Sequence, residues 1–172
     1  RYWVEEYHVD GFHLTGFPDL SLAAEDPFLK RTKLFAENWN DVMNRRPKQG
    51  YVTPGDGAVS VEEKNLAEYN MQFMEDMRRF LKGDEGMLSA FELRNRRNPM
   101  EYAVINYMAN TNGFTLMDTV SYDRKHNEDN HEDNRDGTDH NYSWNCGEEG
   151  PTRKKRIRDL RRQQLCNGFL LL

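Results

Sequence analysis

Cysteine is scarce in this chain: two residues in 172, Cys146 and Cys166, and neither lies in a CxxC pair. A structural zinc site needs four closely spaced nitrogen or sulfur ligands, so none is expected, and the chain is no disulfide scaffold. The expectation is two reduced thiols in a cytoplasmic protein. Long apolar runs are also missing, since nothing approaches the roughly 18 residues that cross a bilayer, and no basic-then-apolar signal opens the chain. Cationic excess is absent too. Lys and Arg number 24 against 29 Asp and Glu, and the net charge of -5 gives no reason to expect nucleic acid as a partner. Hydrophobic residues are sparse at 37%, with a mean hydropathy of -0.98, yet an aromatic content of 12% argues against general disorder.

What is present alternates between strand-like and helix-like segments. Residues 1–7 place Trp3, Val4 and Tyr7 on one side of a helical turn that feeds a short buried strand over 8–14. Residues 18–30 read as partly helical, broken at Asp26-Pro27, and 32–37 as a second strand. Prolines and glycines mark 45–57 as a loop. The clearest helix is 70–82, where Phe73, Met77 and Phe80 share a face and Gly83 is placed to end it. Residues 102–109 form a third apolar strand. Thr115 and Asp118 make a capping-box pattern for a short turn, and Thr152 is expected to cap a final helix with a basic first turn. The result is an α/β fold with a parallel sheet or barrel, whose chemistry collects at the C-terminal ends of the strands. Asp10, Thr15, Glu37 and Asn112 are all expected there. A whole eight-stranded barrel needs about 250 residues. Because this chain opens within a helical pattern and stops at an apolar Phe-Leu-Leu-Leu, it is expected to be one piece of such a barrel domain, residues 1–172, with a long rim loop over 123–151.

Several strings then point to one family. Val9-Asp10-Gly11-Phe12-His13-Leu14-Thr15, Ala36-Glu37-Asn38-Trp39-Asn40, Glu68-Tyr69-Asn70, and Asp76-Met77-Arg78-Arg79-Phe80 with Gly83-Asp84 occur in that order. They are followed by Asn110-Thr111-Asn112-Gly113-Phe114-Thr115-Leu116 and by an Asp-Asn-Arg-Asp-Gly…Asn-Tyr-Ser-Trp-Asn-Cys-Gly-Glu-Glu-Gly-Pro-Thr run ending at Thr152. The chain resembles bacterial glycogen-debranching enzymes and isoamylases, pullulanase-like members of glycoside hydrolase family 13 in the α-amylase clan. That resemblance implies a partial (β/α)8 TIM barrel, from about the fourth strand through the helix before the eighth. It also implies a carbohydrate-metabolism role on α-glucan such as glycogen or starch oligosaccharide, with the remainder of the barrel needed for a complete domain.

Carried over residue by residue, the resemblance puts Glu37 in the general-acid position. The nucleophile position, an aspartate in the family, holds Thr15, and the stabilising aspartate position holds Asn112. A histidine position holds Thr111 and an arginine position holds His13. Asp10, His13, Trp39, Thr111, Asn134, Arg135 and Trp144 are the implied substrate-binding set. Retaining glycosidases need two carboxyl groups, one as nucleophile and one as acid then base. Thr15 offers a neutral hydroxyl with no activating base nearby in the sequence. The leading expectation is therefore a debranching-like protein that does not hydrolyse, a pseudoenzyme. Two alternatives stand beside it: an active α-1,6-glucosidase using shifted residues such as Asp10, and a structural or partner-binding fragment without sugar affinity. No cofactor is expected. Glu128, Asp129, Glu132, Asp133, Asp136 and Asp139 could offer oxygens to calcium, but their spacing is not that of an EF-hand, and a solvated rim loop is the reading adopted. His126, His131 and His140 read as loop residues rather than metal ligands.

Overall fold

A computed structural model of the chain describes residues 1–16, 18–40, 42, 65–97, 99 and 102–172. The loop expected over 45–57 lies outside the described residues. Two compact units are present, one formed by Arg1–Asn70 with Asn98–Ile105, the other by Met71–Arg97 with Asn106–Leu172.

The first unit is built on a four-stranded, all-parallel sheet of β1 (Gly11–Leu14), β2 (Lys33–Ala36), β3 (Leu66–Tyr69) and β4 (Ala103–Ile105), in that spatial order. Helix α1 (Tyr2–Tyr7) precedes it and ends at His8 in a left-handed conformation, φ 52. Helix α2 (Leu20–Ala24) starts because the Asp19 carboxylate accepts from the Ser21 N–H at 2.9 Å. Asp26 does the same for Phe28 at 2.8 Å, with Pro27 at the first position of the 3-10 turn Pro27–Arg31. The Asp-Pro break expected from the sequence is thus a cap that separates two short helical turns.

Register explains the faces. Phe12 pairs with Leu34 and Leu34 with Leu66, and Leu14 pairs with Ala36. All five lie on one face, in a core shared with Ala23, Ala24, Trp39, Val42 and Tyr102. Leu34 and Trp39 are fully enclosed. Gly11 is required by the spacing of β1 and β2, because a Cβ there would meet the Lys33 carbonyl oxygen at 2.7 Å. The strand expected over 102–109 is correct only for Ala103–Ile105.

The second unit centres on α3 (Met71–Lys82), whose Phe73 and Met77 are completely buried against Met108, with Leu81, Phe91, Leu116 and Leu171 around them. Gly83, at φ 92, ends the helix and its N–H reaches the Arg79 carbonyl at 3.1 Å. A helix not foreseen from the sequence, α4 (Met87–Asn95), follows. It is fixed to α3 by a stacked Phe80–Phe91 pair at 4.9 Å and an Arg94–Asp76 ion pair at 2.7 Å. The last helix, α5, runs Lys155–Leu170. Thr152 is not its cap. It lies two residues before the N-cap position, its hydroxyl accepts from the Lys154 N–H at 3.1 Å, and Lys154 itself makes no side-chain cap.

Two buried arginines do the fastening here. Arg161 donates to the carbonyl oxygens of Gly150, Asn145 and Glu148. Arg78 donates to those of Met108, Asn141 and Phe114. Burial pulls the Arg78 pKa down to about 10, which still leaves the group charged at neutral pH. None of the described helices is long and apolar enough to cross a membrane.

Candidate functional site

In the first unit the sheet itself positions the chemistry. Leu14 and Ala36 are register partners on adjacent parallel strands, so the next residues, Thr15 and Glu37, leave the sheet side by side at its C-terminal edge. Both are exposed. His13 lies one residue back on the face opposite the core and stacks on Tyr69, with ring centroids 4.6 Å apart at 15°. Phe35 meets the same tyrosine edge-on at 6.5 Å. This edge therefore offers a hydroxyl, a carboxyl group and an aromatic surface.

Two expected members of the set are not there. Asp10 sits at the other end of β1, where its carbonyl accepts from the Lys33 N–H at 2.9 Å. The four-residue strand lies between it and Thr15, five residue steps or about 16 Å at roughly 3.3 Å per residue. Its expected place at the C-terminal strand end is thus corrected, because the strand begins only at Gly11. Trp39 lies on the packed side of the two readings its aromatic ring allowed. It is 0% exposed and its indole N–H donates to the Ala67 carbonyl at 2.9 Å, so neither ring face is open to a sugar. The core needed a large apolar side chain with one polar handle at this point.

In the second unit Thr111 and Asn112 are both exposed, on the segment after Met108. The Asn112 N–H donates to the Asn110 side-chain oxygen at 2.9 Å. Gly113 has φ +75, and a Cβ on it would come within 2.7 Å of the Asn141 Oδ1 atom that accepts from the Phe114 N–H. Asn134 uses its amide to hold the rim loop, accepting from the Asn127 N–H at 3.0 Å and donating to the Lys125 carbonyl at 3.2 Å. Arg135 is exposed beside Asp133 at 3.6 Å and donates to the Glu132 carbonyl. Trp144 is half-buried, lining an apolar groove with Tyr142, Leu116, Leu165 and Phe169.

Loop 123–151 is tied down by side chains that sequence reasoning did not single out. The Glu149 carboxylate accepts from the Asp123 N–H at 2.9 Å, the Arg124 N–H at 3.4 Å and the Asn145 Nδ2 at 3.0 Å, and it faces the His126 Nε2 at 3.0 Å. Partial desolvation raises its pKa, but these four donors outweigh that and hold it down to about 2. The run Glu148-Glu149-Gly150 gives no periodic signal that would have marked Glu149. Asp136 serves the loop too, accepting from Asn127 and Asn130, while its backbone carbonyl takes the Lys125 ammonium at 3.0 Å. Among the described residues no group of three or more His, Cys, Asp and Glu could hold a metal ion.

No family model matches the chain. Individual relatives do. It is 35% identical over its whole length to "Isoamylase 3, chloroplastic" of Oryza sativa subsp. japonica, covering 24% of that protein. It is 36% identical, again throughout, to "Glycogen operon protein GlgX homolog" of Mycobacterium tuberculosis, strain ATCC 25618 / H37Rv, covering 25% of it. It is 37% identical over 88% of its length to "Glycogen debranching enzyme" of Serratia proteamaculans, covering 24% of that protein. The chain spans about a quarter of the length of the curated relatives it matches.

Proposed function

Since this chain belongs to the isoamylase and glycogen-debranching enzyme family, we propose that it is a segment of an α-glucan-binding protein that no longer hydrolyses α-1,6 branch points. The observation that carries the reading is the pair at the sheet edge, Thr15 beside Glu37, where glycoside cleavage calls for two carboxyl groups. A threonine hydroxyl cannot supply the negative oxygen that an oxocarbenium-like centre demands. Losing one such electrostatic partner commonly costs about 10²–10³ in rate. Asn112 in place of a second carboxylate adds a loss of the same kind, so Glu37 is left as a proton donor without a nucleophile.

In this reading β1 to β4 are four consecutive strands of a closed (β/α)8 barrel, and the rest of the barrel comes from sequence beyond this chain. The whole of 1–172 then falls within one catalytic-type domain, with 123–151 as its substrate rim. We assign the protein to the cytoplasm, where cysteines such as Cys146 and Cys166 stay reduced. The exposed His13 side of the sheet in the first unit, and Thr111, Asn112, Arg135 and Trp144 in the second, are each a candidate glucan contact in its own unit.

Thermal unfolding with maltooligosaccharides tests the binding, because a ligand of the native state must raise the midpoint. An unchanged midpoint at millimolar sugar would leave only a structural or partner-binding role. An active enzyme using shifted residues requires Asp10 or Thr15 to matter for turnover. The location of Asp10 at the far end of β1 weighs against that alternative, and unaltered turnover in Asp10→Asn and Thr15→Ala would dismiss it.

A further inference from the structure

We propose that Arg78 is a positioning residue for the 108–114 loop, which carries Thr111 and Asn112, and this rests on reading that loop as part of an α-glucan site. Arg78 projects from α3 and is 5% exposed. Its Nε donates to the Met108 carbonyl at 2.8 Å and its Nη2 to the Phe114 carbonyl at 3.4 Å, so one planar group clips both ends of the loop. The Nη1 donates to the Asn141 carbonyl at 3.0 Å. The side chain of Asn141 then returns to the same loop, accepting from the Phe114 N–H at 3.0 Å. Between these anchors the loop is braced by the Asn110–Asn112 bond, which is internal to it and cannot fix its location.

A guanidinium holds its donors in a rigid fork, so the separation and tilt of the two clipped carbonyls are set by covalent geometry. Lysine keeps the charge but presents a point ammonium that cannot reproduce the fork. Desolvating a cation is costly, and a well-filled apolar residue would stabilise the unit as well or better. The presence of a buried charge aimed at both ends of one loop points to loop placement rather than to stability alone.

The test compares Arg78→Lys with Arg94→Lys in the full chain. Arg94 also bonds α3, through Asp76, but touches neither end of the loop. Amide resonances of residues 111–114 and affinity for maltoheptaose are measured for both variants at matched thermal midpoints. Arg78→Lys is expected to move those resonances and weaken affinity about 10-fold or more, the scale of one lost charge-assisted hydrogen bond. Arg94→Lys is expected to do neither. Asn141→Ala is the second variant if Arg78→Lys does not fold, and it should accelerate exchange of the Phe114 amide and weaken affinity in the same direction. Unmoved resonances in Arg78→Lys, or equal changes in Arg94→Lys, overturn the proposal. A wild-type chain that ignores maltoheptaose would refute the glucan reading alone, and the resonance comparison would still decide the role of Arg78.

Discussion

Replacing Glu149 with glutamine should loosen the rim loop in a pH-dependent way. The carboxylate gathers two backbone N–H groups, one amide and one imidazole around a single charge. Its pKa falls from an ordinary 4.5 to about 2. Taken at face value that shift corresponds to about 3 kcal/mol. The side chain is 36% exposed, so solvent screening reduces the contribution to about 1–2 kcal/mol. The sign follows from a depressed folded-state pKa. The stability is present in full above pH 4.5 and is lost as pH falls toward 2. Glu149→Gln should therefore lower the thermal midpoint at pH 7 by about 2–8 °C, at roughly 2–4 °C per kcal/mol for a chain of this size. Limited trypsin cleavage after Arg124 and Lys125 should speed up in parallel. Near pH 2 variant and wild type should converge. Equal midpoints at pH 7, or a gap that persists at pH 2, would refute the argument that the charged carboxylate holds the loop.

Gly11→Ala should cost about 1–3 kcal/mol, because its new methyl must displace the Lys33 carbonyl from a 2.7 Å approach. Denaturant unfolding measures this, and a loss below the error of the fit would mean that β1 and β2 lie farther apart. Trp39→Phe removes the indole donor to the Ala67 carbonyl inside a closed core. It should destabilise by about 1–3 kcal/mol and leave maltooligosaccharide affinity unchanged. A selective loss of sugar binding at full stability would restore Trp39 to the binding set.

Much of the first unit was legible as pattern. Phe12 and Leu14 alternate with His13, and Leu34 and Ala36 with Phe35, so strand periodicity separated core face from open face. Strand β3 was not visible that way. Leu66-Ala67-Glu68-Tyr69 carries a buried glutamate in the middle, so the side-chain pattern marked no strand there. Helix α4 was missed because its apolar residues form no stripe. None of its residues is buried, and it is held by an ion pair to α3 and by Phe91, which stacks on Phe80 and packs at the edge of the Phe73–Met77–Met108 cluster. The Thr115–Asp118 box was legible and occurs as drawn. The Thr115 N–H meets Asp118 Oδ2 at 3.3 Å and the Asp118 N–H meets the Thr115 hydroxyl at 3.2 Å, although the turn that follows is only the 3-10 segment Asp118–Val120. The candidate site was legible as residue types at strand ends. Depth of burial was not, and that is why Trp39 was taken for a sugar platform. The carbonyl-binding arginines escaped because their partners are backbone atoms, which leave no mark in a side-chain pattern, and Glu149 escaped because its partners are two backbone N–H groups and two side chains spread over residues 123–145.

The most direct measurement is reducing-sugar release from glycogen and pullulan by the protein carrying Thr15 and Asn112, with Glu37→Gln as the control. The account predicts no release above the control, together with a raised thermal midpoint in maltooligosaccharide. Release that Glu37→Gln abolishes would contradict it, since cleavage would then be proceeding without the carboxylates on which the argument depends.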